Sequence, residues 1–343
     1  MKLARSYYLL ATLFCSIPLA LSAAMADSES DFFKNKQIKL IVGFPPGGDY
    51  DIGARLLARY LGRHISGNPT IIIQNMPQAA SIVAANYLYA QAPRDGTVIG
   101  GITRNFVNQA LLGQMNIEAD PRRFIWLGGT SFPGRVCFVG DKSPVQKVED
   151  TFRTELIVGS NGSGNSTSIL PTVFNHVLGT KFKIIEGYKG TPDIAVAIER
   201  DEVNGVCSSY GQFRSNAQST KEGRLRVLFR AEEANMPEIP NTPSIYDFAH
   251  TETQKQFMRF VFSSTEFGRP YVLPPDVPAA RVATLRKAFA DTVADPDLIA
   301  DALAGNIDMA WRRPEYLEHS IAALFQTPPD LIEATKKLVP NLQ

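Results

Sequence analysis

The sequence predicts an α/β fold of two lobes, each built on a doubly wound, mainly parallel sheet. Three observations support this. Short β-branched apolar blocks alternate with helix-like blocks from residue 37 onwards, the alternation falls into two groups, and 44% hydrophobic with 20% charged residues is an ordinary globular composition. Strands that alternate with helices are typical of parallel sheets covered by helices.

The first group of elements begins with the apolar run 37–44, followed by a helical pattern over 51–61 that places Leu56, Leu57 and Tyr60 on one face. A turn at 93–96 introduces its third strand. The further elements predicted for this group are strands 70–74, 97–102 and 124–128 and a helix over 81–91.

The second group is predicted to contain strands 135–139, 155–158, 181–185, 203–207 and 224–229 with helices between them. Thr191 is expected to cap one of these helices, with Pro192 at a position where its missing amide costs nothing. Pro171 must either open or kink the helix predicted over 165–178.

Two extended runs, 257–263 and 270–273, are predicted to return the chain to the first group, and only helices are expected after Pro274-Pro275. The resulting division is a signal peptide at 1–26, a first lobe of 27–134 plus 265–343, and a second lobe of 135–264. The helices predicted after the prolines are 278–294, 296–303, 314–325 and 329–338.

The first 26 residues have the three parts of a secretory signal: Lys2 and Arg5, an apolar stretch from 7 to 21, and Ala24-Met25-Ala26. The alternative is a membrane anchor, but the apolar stretch is interrupted and shorter than the roughly 20 residues of a spanning helix. We therefore expect export and cleavage before Asp27.

Charge and cysteine content exclude some classes of protein. The sequence has 35 Lys and Arg against 34 Asp and Glu, a formal charge of +1, and loss of Lys2 and Arg5 with the leader leaves −1. A nucleic-acid-binding protein normally has an excess of basic residues, so this charge balance gives no reason to expect one.

The cysteines and histidines bear on covalent and metal sites. Cys137 and Cys207 form a disulfide or remain two buried thiols. The four histidines show no metal-ligand spacing, and no cofactor is expected.

Two strand-to-helix loops are the leading candidates for a ligand site, because such loops collect ligands beyond the carboxyl ends of strands in these sheets. The alternatives are a tight structural turn for the first and a flexible loop for the second. The candidate residues of the first loop are Phe44, Pro46, Gly47, Gly48, Asp49 and Tyr50. Those of the second loop are Ser160, Asn161, Gly162, Ser163, Gly164, Asn165 and Ser166.

Other loops carry weaker signals. Arg104 could pair with a carboxylate through two hydrogen bonds, or be a solvated surface arginine. The tyrosines are either ligand walls or packing residues. The candidates in these loops are Gln78, Ala79, Thr103, Arg104, Asn105, Tyr188 and Tyr210.

Signatures of enzymes are absent from the sequence: there is no Gly-x-Ser-x-Gly, no His-Glu-x-x-His and no Gly-x-Gly-x-x-Gly on the first strand-helix unit. Asp49 and Asp51 stand at the start of a predicted helix, and paired carboxylates at such a position are more often helix caps than a general acid and base. A secreted α/β enzyme with one of these aspartates as base remains the alternative function.

The sequence resembles the periplasmic solute-binding proteins of tripartite tricarboxylate transporters, the Bug-type receptors. The resemblance is carried by an ordered set of segments over nearly the whole mature chain. They are IKLIVGFPPGGDYDIGARLLARYLGRHI (38–65), IIIQNMPQAAS (71–81), PRDGTVIG (93–100), GYKGTPDIAVAIERDEVNGVC (187–207) and RPYVLPPDVPAARVATLRKAFADTVADPDLIADAL (269–303).

The resemblance implies a two-lobed Venus-flytrap receptor, a type II periplasmic binding protein, which binds a small organic carboxylate and passes it to membrane permease subunits. Such a receptor is periplasmic, monomeric and not an enzyme; a sensory receptor with the same closure is the other alternative. The family's ligand-binding roles correspond here to Gly47, Gly48 and Asp49, and to Ser160 with residues 162–166.

Two departures from the family pattern affect the ligand. Asp49 stands where a glycine or threonine is usual, and Gln78 and Ala80 replace glycines of a Pro-Gly-Ala-Gly segment. A carboxylate beside an acidic ligand costs roughly 4 kcal/mol for unit charges about 4 Å apart at an effective dielectric constant of about 20. Either Asp49 turns away to cap the helix, or the ligand is less acidic.

Overall fold

The structure is a computed structural model that describes residues 32–113, 116–131, 134–162, 165–233, 235–305 and 307–338. The predicted signal peptide lies outside these residues. The strands are β1 (Gln37–Val42), β2 (Thr70–Asn75), β3 (Val98–Gly101), β4 (Ile125–Thr130), β5 (Arg135–Gly140), β6 (Leu156–Ser160), β7 (Phe182–Glu186), β8 (Gly205–Ser209), β9 (Leu225–Arg230), β10 (Arg269–Leu273) and β11 (Trp311–Arg312).

The α-helices are connected by short turns and by 3₁₀ segments such as the one at Gln78–Ser81. They are α1 (Asp49–Leu61), α2 (Ile82–Ala90), α3 (Phe106–Leu111), α4 (Ser166–Leu178), α5 (Thr191–Glu199), α6 (Tyr210–Ser215), α7 (Ala217–Lys221), α8 (Glu252–Phe262), α9 (Ala279–Val293), α10 (Pro296–Ala304), α11 (Pro314–Leu324) and α12 (Pro329–Leu338). Within the described ranges, no helix has both the length and the apolar character needed to cross a membrane.

Two sheets form the two lobes of the α/β fold. The first has the order β11-β4-β10-β3-β1-β2 and the second the order β7-β6-β8-β5-β9. The trios β2-β1-β3 and β7-β6-β8 are parallel, as the alternating pattern predicts, and the other pairings are antiparallel. Both sheets are therefore mixed rather than mainly parallel, because the strands on either side of the crossings between the sheets run antiparallel to their neighbours.

The chain passes between the sheets twice, once between β4 and β5 and once between β9 and β10. The predicted lobe boundaries at 134/135 and 264/265 fall within these crossings. One buried cluster, which includes Ile41, Trp126, Phe174 and Phe229, packs on both sheets and is continuous between them. Separate clusters cover the other face of each sheet.

The run 257–263, predicted to be extended, is helical in the structure: residues 257–262 belong to α8, and Ser263 begins a 3₁₀ segment. The helix begins with a capping box in which Thr251 Oγ1 accepts a hydrogen bond from the amide of Gln254, and Gln254 Oε1 accepts one from the amide of Thr251. The sequence was interpreted as a strand because consecutive residues at the end of the helix, from Phe260 to Phe262, are apolar and buried.

Two smaller predictions also differ from the structure, and for Pro171 the structure excludes one of the two predicted alternatives. The residues after Pro274-Pro275 are not only helical, because β11 pairs with the edge of β4. The N-cap of α5 is Gly190, so Thr191 is the first helical residue rather than the cap. Pro171 lies inside α4, which runs from Ser166 to Leu178, and does not open it.

Candidate functional site

A cavity of about 250 Å³ lies between the two lobes. The first lobe contributes Arg104 and Asn105, which follow β3, and the second lobe contributes Asn165, Ser166, Ile169 and Leu170 at the start of α4. The rest of the wall consists of Arg135, the first residue of β5, and of four residues from the crossing between β9 and β10: Val261, Phe262, Ser264 and Thr265.

Arg104 supplies a positive charge to this cavity. Its Nε and its main-chain amide both donate to the hydroxyl of Tyr50, each at 3.1 Å. Within the described part of the chain, no group accepts a hydrogen bond from either terminal nitrogen, so both are available to a ligand. Burial by itself lowers the pKa of Arg104, but Tyr50, Asp49 and Asp308 outweigh it and raise the pKa above its usual value.

The amino terminus of α4 approaches the cavity from the second lobe. Asn165 has an extended backbone and precedes the helix without donating or accepting a side-chain capping bond. Among the described residues, no group accepts a hydrogen bond from the amide of Ser166. A free amide at the positive end of a 13-residue helix favours an anion.

The second glycine-rich loop is held in shape by its own hydrogen bonds. The buried Ser160 hydroxyl accepts from the amide of Gly162 at 3.1 Å. Thr167 Oγ1 donates to Asn161 Oδ1 at 2.6 Å and accepts from the amide of Asn161 at 3.2 Å. Ser160 and Asn161 thus position the residues that lead into α4. The candidates Ser163 and Gly164 lie outside the described residues.

The first glycine-rich loop is anchored by Asp51. Its Oδ2 accepts from the amide of Gly47 and from Arg55 Nε, and its Oδ1 accepts from Asn75 Nδ2, each at 2.8 Å. The side chain is 2% exposed. Burial raises the pKa of Asp51, but the hydrogen bonds from Arg55, Asn75 and Gly47 more than offset it, and the pKa lies below its usual value.

Asp49, the residue that departs from the family pattern, does not cap α1. The N-cap is Gly48, and Asp49 Oδ1 accepts a hydrogen bond from Arg269 Nη1 at 2.7 Å. The Arg269 side chain is 2% exposed and that of Asp49 is 68% exposed. Arg269 Nη2 also donates to the carbonyl of Asp308. The carboxylate of Asp49 is therefore paired with a buried arginine, while most of its own surface stays exposed.

Several sequence candidates lie beside the cavity rather than in its wall. Phe44 stacks on Tyr50 with ring centroids 3.9 Å apart, and so supports the residue that holds Arg104. Thr103 is buried, and its amide donates to Ser81 Oγ at 3.1 Å. Pro46, Gly47, Gly48 and Asp49 are not among the lining residues; their contact with a ligand stays a prediction.

The remaining candidates have other surroundings. Gln78 and Ala79 are exposed on the 3₁₀ turn after β2. Tyr188 and Tyr210 are half-buried and pack against the second lobe's own apolar cluster, which contains Phe213 and Ile194. Of the twenty candidate residues, the structure brings Arg104, Asn105, Asn165 and Ser166 together in the cavity wall.

Arg135 was missed in the sequence because it reads as the first residue of an ordinary strand. It is buried, its Nε and Nη2 donate to Glu232 at 2.8 and 3.1 Å, and its Nη1 donates to the carbonyl of Phe262 at 2.7 Å. These bonds join the start of β5 to the crossing between β9 and β10. Removing one partner of a buried pair leaves an uncompensated charge, which costs several kcal/mol.

Cys137 and Cys207 lie opposite each other in register on β5 and β8 and form a disulfide. Both are buried. Among the described residues, no cluster of three or more His, Cys, Asp or Glu side chains could hold a metal ion.

Comparison with known proteins places the chain in a family. No protein-family model matches the sequence. A UPF0065 protein of Bordetella pertussis is 39% identical over 234 residues, which cover 66% of this chain and 71% of that protein. The chain belongs to the UPF0065 family of Bug-type solute-binding proteins. Protein BugT of the same organism is 23% identical over 245 residues, 68% of this chain and 72% of BugT.

Solved structures show the same fold. A TctC solute-binding protein from Polaromonas, crystallised with no ligand, superposes with a TM-score of 0.68 at 18% identity over 89% of this chain and 98% of that one. MatC of Rhodopseudomonas palustris with bound malate gives 0.51 at 17% identity over 89% and 99% of the two chains. An R. palustris protein with adipate gives 0.53 at 18% identity over 90% and 97%. The Bug-type chain thus has the fold of periplasmic binding proteins.

Proposed function

We propose that this Bug-type protein is a periplasmic receptor that binds a small organic acid between its lobes and delivers it to membrane permease subunits of the tripartite tricarboxylate type. The observation that carries the proposal is one cavity lined by Arg104 of the first lobe and by the start of α4 in the second. The malate and adipate found in neighbours of the same fold support an acid as the ligand.

The receptor works by closing on its ligand. The carboxylate accepts hydrogen bonds from the terminal nitrogens of Arg104 and from the amide of Ser166, so it connects the lobes only when both groups reach it. A ligand that binds the closed form more tightly shifts the population towards that form. The permease subunits then recognise the closed shape of a receptor that acts as a monomer.

The proposal includes no catalytic step. An enzyme would need an unoccupied base beside the ligand, and Asp49 and Asp51 are the candidates in the sequence. Asp49 is paired with Arg269, both oxygens of Asp51 already accept hydrogen bonds, and neither residue is among those lining the cavity. Binding and release without covalent change fits these residues better than acid–base catalysis.

Thermal unfolding in the presence of small acids tests the proposal. The purified protein is scanned with di- and tricarboxylates, aliphatic and aromatic monocarboxylates, and their neutral amides. We expect at least one acid to raise Tm while its amide does not, and Arg104→Gln to abolish the shift. Arg200→Gln, which alters an exposed arginine away from the cavity, is the matched control. If no acid in the panel raises Tm, the proposed function is wrong.

A further inference from the structure

We infer that the ligand carries one carboxylate on an apolar body, and that a monocarboxylate is preferred over a dicarboxylate of the same length. The inference rests on the proposed function and narrows its ligand class. It follows from the charges and the apolar surface that line the cavity.

The cavity offers a single uncompensated cation among the described residues. Its charged lining residues are Arg104 and Arg135. Arg135 is neutralised by Glu232, and all three of its side-chain donor nitrogens already donate within the protein. Arg104 retains two terminal nitrogens with no described acceptor. One arginine with a planar pair of donors matches one carboxylate.

Arg269 offers no second cation to a dicarboxylate, because its side chain is 2% exposed, it is not among the lining residues, and its donors are engaged. Nη1 donates to Asp49 Oδ1 at 2.7 Å, and Nη2 donates to the carbonyl of Asp308. Asp49 is close enough to Arg104 to contribute to the raised pKa of that residue, and its carboxylate is 68% exposed. A second ligand carboxylate near this loop would therefore meet repulsion rather than a partner.

The wall of the cavity includes four apolar side chains. Ile169, Leu170, Val261 and Phe262 line it. The hydroxyl of Thr265 is occupied, because it donates to the carbonyl of Phe262 at 2.8 Å. A carboxylate placed against these four apolar side chains would lose water without gaining an equivalent partner, whereas methylene groups gain from burial there.

The size of the cavity suits a small acid. A volume of about 250 Å³ corresponds to roughly eight water-sized volumes at about 30 Å³ each. Hexanoate has about that many heavy atoms. Adipate has the same carbon chain with a second carboxylate in place of the terminal methyl group, so the two acids isolate the effect of the second charge.

Calorimetric titration of the purified protein with hexanoate and with adipate tests the inference. We expect hexanoate to bind about tenfold or more tightly than adipate, and Ile169→Asn to reduce the preference. Ile169→Thr serves as a milder variant if Ile169→Asn fails to fold, and Ile185→Asn, on an exposed strand position, is the control that leaves the preference unchanged.

The possible results separate this inference from the proposed function. Equal or tighter binding of adipate overturns the monocarboxylate preference and leaves the receptor function intact. Failure of both acids, together with failure of every acid in the thermal panel, overturns the receptor function and the preference with it.

Discussion

Asp49 and Arg269 form an ion pair, with 2.7 Å between Oδ1 and Nη1, that joins the first glycine-rich loop to β10. The resemblance to Bug-type receptors leads one to expect glycine or threonine at the position of Asp49. The additional carboxylate in this chain is therefore accommodated by an internal cation.

Replacement of Asp49 is predicted to change the ligand charge that the receptor prefers. Asp49→Asn keeps an acceptor for Arg269 but leaves the site one charge more positive, so adipate should gain several-fold in affinity and hexanoate less. Titration calorimetry of both acids measures this ratio. Asp297→Asn removes an exposed carboxylate of α10 and should leave the ratio unchanged; an equal shift in both variants would contradict the explanation.

Removal of the Tyr50 hydroxyl is predicted to weaken acid binding. Tyr50→Phe keeps the stacking on Phe44 but deletes the oxygen that accepts from Arg104 Nε and from its amide. A hydrogen bond to a charged group contributes about 1.5–3 kcal/mol, so we expect affinity to fall about tenfold or more.

Calorimetry with the tightest-binding acid measures the Tyr50→Phe effect. Tyr87→Phe, a half-buried tyrosine of α2 outside the cavity wall, is the control and should bind as the natural protein does. Unchanged affinity in Tyr50→Phe would show that Arg104 is positioned by other contacts.

The disulfide is predicted to stabilise the fold. Cys137 and Cys207 close a loop of 70 residues, and loss of a natural disulfide typically costs about 2–5 kcal/mol. Urea unfolding of the natural protein and of the Cys137→Ala/Cys207→Ala variant measures the difference. A common unfolding midpoint for the two proteins would rule out a stabilising role.

Glu266 is predicted to make stability depend on pH. Burial raises the pKa of Glu266, and Glu232 adds to this effect while Arg135 opposes it. An unfolded glutamate titrates near pH 4, about its usual value. The folded protein binds the proton of Glu266 more tightly than the unfolded chain does. The stabilisation that results is therefore fully present below about pH 4 and is lost as the pH rises through the pKa of Glu266 in the folded protein.

Glu266→Gln keeps an acceptor for Tyr316 and Ser320, which both donate to Glu266 Oε2 at 3.2 Å, and removes the titration. The free energy of unfolding, measured from pH 4 to pH 8, should fall in the natural protein relative to the variant. A constant difference between the two proteins across that range would contradict the assignment.

Local patterns predicted most of the fold. The β-branched runs at β1 and β2 and the periodic helix α1 follow from the spacing of apolar residues alone, which is a short-range property. α8 could have been predicted from Thr251 and Gln254, whose spacing is that of a capping box, but the continuous apolar run after it favoured a strand.

The candidate site was predicted in part. Arg104, Asn105, Asn165 and Ser166 could be named because they follow strands, where the fold class places ligands. The partner of Asp49, which is Arg269, and the partner of Arg135, which is Glu232, could not be predicted. Each is distant in sequence from the residue it pairs with, and only the crossings between the sheets bring them close. Val261 and Phe262 were not predicted to line the cavity, because the run that contains them was incorrectly assigned to a strand.

A crystal structure of the protein with hexanoate bound tests the central claim most directly. We predict the carboxylate between the lobes, within hydrogen-bonding distance of a terminal nitrogen of Arg104 and of the amide of Ser166, with the aliphatic chain against Ile169 and Phe262. A carboxylate bound outside this cavity, or inside it without contact to Arg104, would contradict the account.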